Sequence, residues 1–141
     1  MSKLAVIRIR GKPGMKRDIL KTLMMLRLYR KHYCAVVEDT PSVRGMVDKV
    51  KDYATYGEID EQTFNELVTK RGEPLASRTQ DSRGKINYPT LEINGKKFKP
   101  VFRLAPPRKG FERKGTKMPF NQGGALGNRG SKINDLIKRM M

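Results

Sequence analysis

Cysteine is almost absent from this chain, with Cys34 the only one. An internal disulfide is therefore excluded, which fits a reducing compartment. Cys34 lies in an apolar run and reads as a core residue, not a reactive thiol. Histidine is as scarce: His32 stands alone. One histidine and one cysteine are too few for a metal site, so no metal or other cofactor is expected. Sequence places no nucleophile or carboxylate beside His32, which argues against catalysis and for a surface position. No apolar run reaches signal-peptide or membrane-span length, so a cytoplasmic protein is expected. Phosphate-cradling glycine loops, paired Cys-x-x-Cys and His-Glu-x-x-His are all missing. Tryptophan is absent and aromatics make up 7% of the chain. The aromatic-rich strand of RNA-recognition sheets is missing with them, so base stacking on a sheet is not the expected mode.

Basic residues are abundant. The 141 residues carry 31 Lys and Arg against 14 Asp and Glu, a formal charge of +17. Such an excess opposes a compact monomer by self-repulsion and favours a polyanionic partner. It is also segregated. Residues 1–37 hold ten basic and one acidic side chain, residues 38–73 five and nine, and residues 94–132 eleven and one. Two basic blocks flank an acidic middle, as in a folded protein with a binding face. Hydrophobic content is 37%, below the usual ~45–50% (a figure that also counts Gly). Part of the chain is therefore expected outside the core.

The organising stretch is Leu4 to Arg10. Ala5, Ile7 and Ile9 share one strand face; Leu4, Val6, Arg8 and Arg10 share the other. The first face is expected against helices. The second, apolar then basic, is expected to turn toward an acidic partner. Gly11 to Gly14 breaks the strand, and a helix is predicted over Met15–Leu28 with its methionines as core filler. Tyr33–Glu38 reads as a second strand. Thr40 and Pro41 then form a helix start, and Val43, Met46, Val47 and Val50 give its apolar face. Gly45 within that helix costs about 1 kcal/mol relative to Ala. It implies a close approach, by a neighbouring helix or a nucleic-acid backbone. Glu38-Asp39 is explained by acidic residues near a helix start. Tyr53–Ile59 has strand chemistry. Asp60 can cap a third helix through about Arg71, with Phe64, Leu67 and Val68 inward and Gly72 at its end. Asn94-Gly95 between extended runs signals a hairpin. Pro106-Pro107 ends regular structure, and no element is expected from there to Gly130, where few apolar anchors exist. Ser131 can cap a last helix with Ile133, Leu136, Ile137 and Met140 inward.

Certain runs resemble a known family. Thr22-Leu23-x-x-Leu26-x-Leu28-x-Arg30, followed by Glu38-Asp39-Thr40-Pro41-x-x-Arg44-Gly45-Met46, resembles the thirtieth protein of the large ribosomal subunit. It is called L-thirty in bacteria and archaea and L-seven in eukaryotes. The bacterial form matches over roughly residues 4–59. The remainder resembles the longer archaeal and eukaryotic form: Lys70-Arg71-Gly72, the turn Leu104 to Arg108, the run Gly123 to Arg129 and the final helix. Lys109-Gly110-Phe111 departs from the glycine-rich relatives and bears on the arm's local conformation.

The resemblance implies an α+β fold of ferredoxin-like character. Its β-α-β-α-β core has a three-stranded antiparallel sheet in order 3-1-2 and two helices on one face. General connection rules would favour a parallel crossover; sequence alone does not set strand direction. Residues 1–59 are expected as the core domain. Residues 60–141 are its extension: helix 60–72, a loop, hairpin 88–102, basic arm 103–130 and helix 131–141. The implied role is a structural, non-enzymatic component that binds large-subunit ribosomal RNA beside neighbouring ribosomal proteins. It would be present in single copy, with no membrane and no small-molecule substrate. The alternatives are a small phosphate-handling enzyme and a non-ribosomal basic nucleic-acid-binding or membrane-binding protein. Four groups are expected at the RNA. Arg10, Lys12, Lys16 and Arg17 clamp phosphates beside the first helix. Arg27, Arg30, Lys31 and His32 form a second patch. Thr40, Arg44 and Gly45 form a third. Arg103, Arg108, Lys109, Arg113, Lys114, Lys117, Asn121, Gln122 and Arg129 line the arm.

Overall fold

A computed structural model describes residues 3–74, 82–84, 91–93 and 96–141. The central strand is β1, Lys3–Arg8. It pairs antiparallel with β2, Tyr33–Glu38, on one side and with β3, Ala54–Glu58, on the other. The implied order 3-1-2 is therefore present. Since both neighbours oppose β1, they run parallel to each other across it. The parallel crossover that general connection rules favour is not found between paired strands of the core: β1 opposes both β2 and β3, and α2, Pro41–Val50, joins β2 to β3. The sheet is wider than three strands, because the C-terminal half adds one short strand to each edge. β6, Phe102–Arg103, pairs with β2; β7, Gly127–Asn128, runs parallel to β3. The hairpin strands β4, Leu91–Ile93, and β5, Lys96–Phe98, form a separate pair. The Asn94-Gly95 turn between them lies outside the described residues.

Both faces of the sheet are covered. Ala5, Ile7 and Ile9 pack with Phe64 and Leu67 of α3, Glu61–Arg71, and with Ile133, Leu136, Ile137 and Met140 of α4, Ile133–Met140. Cys34 lies in this layer, and burial pushes its thiol up to about 12. On the other face Val6 packs with Leu23 and Leu26 at the end of α1, Arg17–Met25, and with Val47 and Val50 of α2. The expectation that this second face of β1 meets an acidic partner is therefore corrected. Even Arg8 is only 1% exposed. Its Nε donates to the Arg10 carbonyl at 2.9 Å and its Nη1 to the Leu28 carbonyl at 2.8 Å. Burial lowers its pKa. Two carbonyls thus replace the water that a buried guanidinium loses.

Helix ends also depart from expectation. α1 stops at Met25, three residues early, because Arg27 takes a left-handed φ of 63°. Its N–H donates to Met24 O, and the next N–H, of Leu28, to Leu23 O at 2.9 Å. This is the pattern that closes a helix, here with arginine where glycine is usual. Met24 and Met25 beyond the core are 51% and 65% exposed, so they do not fill it. Thr40 does cap α2, accepting from the Val43 N–H at 3.3 Å. Asp60 and Ser131 form no side-chain cap. Instead Asn134 links their segments, accepting from the Asp60 N–H at 2.9 Å and donating to Ser131 O at 2.8 Å.

The expectation of no regular element from Pro107 to Gly130 is corrected as well. Short 3-10 turns occupy Gly115–Lys117, Phe120–Gln122 and Gly130–Lys132. Ala125 and Leu126 are buried, and Thr55 donates to the Gly127 carbonyl at 2.9 Å. Gly124 lets the arm fold on itself: a Cβ there would lie 1.9 Å from the Met118 carbonyl oxygen. Few apolar side chains suffice because the arm borrows its partners from the sheet.

Candidate nucleic-acid interface

Strand register decides which basic groups share a region. β1 ends beside the start of β2 and the start of β3: Ile7 faces Cys34 and Arg8 faces Ala54. The Ile9 and Arg10 amides both donate to Tyr53 O. The loop carrying Arg10 and Lys12 leaves the sheet at this end, and the turn with Arg27, Arg30, Lys31 and His32 re-enters here. β6 places Arg103 against Tyr33, so the arm also departs from this end. It returns here through β7, whose Gly127 pairs with Thr55. The C-terminus of α4 closes the same end, with Ala105 and Arg108 amides bonded to Met140 and Arg139 carbonyls. Two patches and the arm, distant in sequence, therefore converge. The third patch does not: Thr40 and Arg44 follow β2 at the opposite end, where Glu38 pairs with Lys3.

Individual side chains differ in availability. Lys12, Lys16 and Arg17 are exposed. Lys16 precedes α1 in an extended conformation, and no side chain caps that helix start. Its free amides and two cations favour an anion there. Arg10 is half-buried, its guanidinium 5.2 Å above the Tyr53 ring. Arg30 and Lys31 are exposed, and Arg27 is half-buried. His32 is turned to internal use. Its ring stacks on Phe111 of the arm at 5.9 Å and 12°. Desolvation first, then the Lys31 charge, lowers its pKa.

At the third patch Arg44 grips Asp39 with two hydrogen bonds of 2.6 Å. The hydrogen bond to Asp39 is the main reason its pKa is raised. Gly45 is exposed, and beyond its chain neighbours and its own helix backbone no described atom lies within 4 Å of where its Cβ would be. The expected approach of a neighbouring helix is thus absent among the described residues.

Along the arm, Arg108, Lys109, Arg113, Lys114, Lys117, Asn121 and Gln122 are exposed. Arg103 is paired with Glu73. Arg129 is turned inward and is 5% exposed. It donates to Glu112 at 2.7 Å, to the Thr55 hydroxyl at 2.9 Å and to Ala125 O at 3.2 Å. Its guanidinium lies 4.8 Å from the Phe120 ring centre. Burial lowers its pKa against the opposing effect of Glu112. Burial would raise the Glu112 pKa, but Arg129 and Arg139 outweigh it and hold the carboxyl below its ordinary value. Among the described residues no acidic, histidine or cysteine cluster could hold a metal ion, and no helix is long and apolar enough to cross a membrane. Sequence reasoning missed Lys51, which lies at the convergent end, and the exposure of Met24, Met25 and Tyr29 beside the second patch.

Comparison with known proteins fits this architecture. The family model described as Ribosomal protein L30p/L7e matches residues 4–54. Large ribosomal subunit protein uL30 of Methanococcus maripaludis is 44% identical, over 97% of this chain and 98% of its own. This chain belongs to the L30p/L7e family of ribosomal proteins. The uL30 protein of Nanoarchaeum equitans is also 44% identical, over 99% of each chain, and that of Methanopyrus kandleri 42%, over 94% of this chain and 100% of its own. The Methanococcus and Nanoarchaeum proteins cover 97% and 99% of this chain, so that likeness runs through the arm and into α4, beyond the residues the family model matches.

Proposed function

We propose that this L30p/L7e chain is a structural, non-enzymatic constituent of the large ribosomal subunit that binds its ribosomal RNA. The convergence of the first loop, the α1–β2 turn and the arm at one end of the sheet carries the reading. Lys12, Lys16, Arg17, Arg30, Lys31, Arg108, Lys109, Arg113, Lys114 and Lys117 supply phosphate contacts there. Arg10 and Arg27 flank them from half-buried positions. Arg44 and Gly45 form a separate contact at the far end. Arg103, His32, Thr40 and Arg129 serve the interface by holding loops and arm in place. Residues 1–59 act as the shared core and 60–141 as an extension that widens its sheet; the family-model range of 4–54 supports that division. The protein works in the cytoplasm as a single copy among other ribosomal proteins. In support, both sheet edges end in two-residue strands, which leave little for a second copy to pair with.

Sedimentation of cell extract tests the reading: the protein should travel with large subunits through a high-salt wash. With around eight phosphate contacts, binding to large-subunit ribosomal RNA should weaken with log salt at a slope of about −6 to −7. A flat salt response, or a protein left at the top of the gradient, overturns the proposal.

A further inference from the structure

A cleft of about 590 Å³ opens at the convergent end, between the last turn of α2, β3 and the arm. We infer that it receives one unpaired guanine base extruded from the bound RNA. The inference rests on the RNA-binding role proposed above and names what one part of that surface reads.

The cleft is unlike the phosphate-binding surface around it. Arg10, Lys51 and Lys117 contribute cations, but Asp48 and Asp52 line it too. Two carboxylates beside three cations make a poor seat for phosphate and a good one for hydrogen-bond donors. Guanine is the base whose Watson–Crick edge offers two adjacent donors, N1–H and the N2 amino group, which a single carboxylate can take together. Its O6 needs a donor. Asn121 and Gln122 reach the same cleft from the arm's second 3-10 turn. Both are exposed, and their side-chain amides make no hydrogen bond among the described residues. Phe120 adds ring surface to the walls, while Tyr56 is buried with its hydroxyl donating to Asp48 at 3.4 Å, which leaves Asp52 as the carboxylate open to the base. Aromatic surface with amide and carboxylate groups is how single-stranded RNA bases are held once out of the stack. The volume also falls within the range of ligand pockets. The cations at the rim then take the phosphates on either side of the extruded nucleotide.

The test uses deproteinised large-subunit ribosomal RNA from the same cells and the full chain. Three proteins are compared: unaltered protein, the double variant Asn121→Ala/Gln122→Ala and the double variant Asp48→Asn/Asp52→Asn. Thermal unfolding checks that each is folded. Affinity is measured across a salt series, and guanine edges are probed with kethoxal. The unaltered complex should protect one unpaired guanine. Each double variant should bind about tenfold or more weakly and re-expose that guanine while the rest of the footprint stays. The Asn121/Gln122 variant should keep the salt slope, since no phosphate contact is removed. Unchanged affinity with no re-exposed guanine overturns the inference and leaves the ribosomal reading standing. A loss accompanied by a shallower slope for the Asn121/Gln122 variant overturns it too, because the cleft would then serve phosphates. Failure of the unaltered protein to bind this RNA at all overturns both.

Discussion

Replacing Arg129 by Met should release the arm without unfolding the body. The substitution keeps a long apolar stem but removes every donor. Glu112 loses its 2.7 Å partner and retains only Arg139, at 3.4 Å. The Ala125 carbonyl and the Thr55 hydroxyl lose their guanidinium partner as well. Breaking a fully buried ion pair costs about 3–5 kcal/mol. The Glu112 side chain is 29% exposed and keeps a second arginine, so a smaller cost of about 2–3 kcal/mol is expected here. That is well below the ~5–15 kcal/mol of a whole domain. The cost falls on the side-chain contacts that tie residues 112–129 to β3, while the β7–β3 pairing, the Thr55–Gly127 bond and the Arg129 N–H to Tyr56 O bond remain. If cleavage follows the population of the opened arm, trypsin should cut the variant roughly 30- to 150-fold faster. The cuts should fall at Arg108, Arg113, Lys114 and Lys117, with the body spared. Arg129→Lys, which keeps the charge but not the fork, should lie between the two. Assembled large subunits should suppress cleavage in all three proteins. Equal cleavage of Arg129→Met and unaltered protein would refute the reasoning, and so would simultaneous loss of the body.

Three further outcomes follow from single features. Gly57→Ala should lower stability to chemical denaturation by about 1–3 kcal/mol, since the new Cβ would sit 2.1 Å from the Gly130 carbonyl oxygen; an unchanged midpoint would remove the packing argument. Arg8→Ala should cost about 2–4 kcal/mol through two lost charge-assisted hydrogen bonds and a cavity, with RNA affinity per folded molecule retained; weakened RNA binding at full stability would make Arg8 a ligand instead. Acid should loosen the arm: the Glu112 pKa is lowered on folding, so its contribution is complete above the ordinary glutamate value and is lost as pH falls through the lowered one. Protection of the Ala125 amide, bonded to Gly115 O, relative to its intrinsic exchange rate at each pH, should fall across that window and respond less to acid in Glu112→Gln.

Local pattern was enough to identify most elements. The alternation of Leu4 to Ile9 marks a strand, Thr40-Pro41 marks a helix start, and the stripes of α3 and α4 are the residues found buried. Each signal depends on neighbours within one or two turns, so it is written in the sequence itself. The run from Asp39 to Met46 likewise carries the family in its own letters. Strand direction, the two added edge strands and the ordered arm are of another kind. Thr55 meets Gly127 and Arg129 across more than seventy residues, and no local propensity encodes such a pairing. Charge misled for the same reason. In sequence, Arg8 and Arg129 are two more cations on a basic chain, indistinguishable from Lys12 or Lys114. Whether an arginine is solvated or buried depends on which carbonyls and carboxylates the fold brings to it. For Arg8 that is Leu28 O, and for Arg129 it is Glu112. The basic end of the molecule is the joint result: sequence supplies the cations, and antiparallel register gathers those on separate loops while drawing two arginines inside to hold the loops in place.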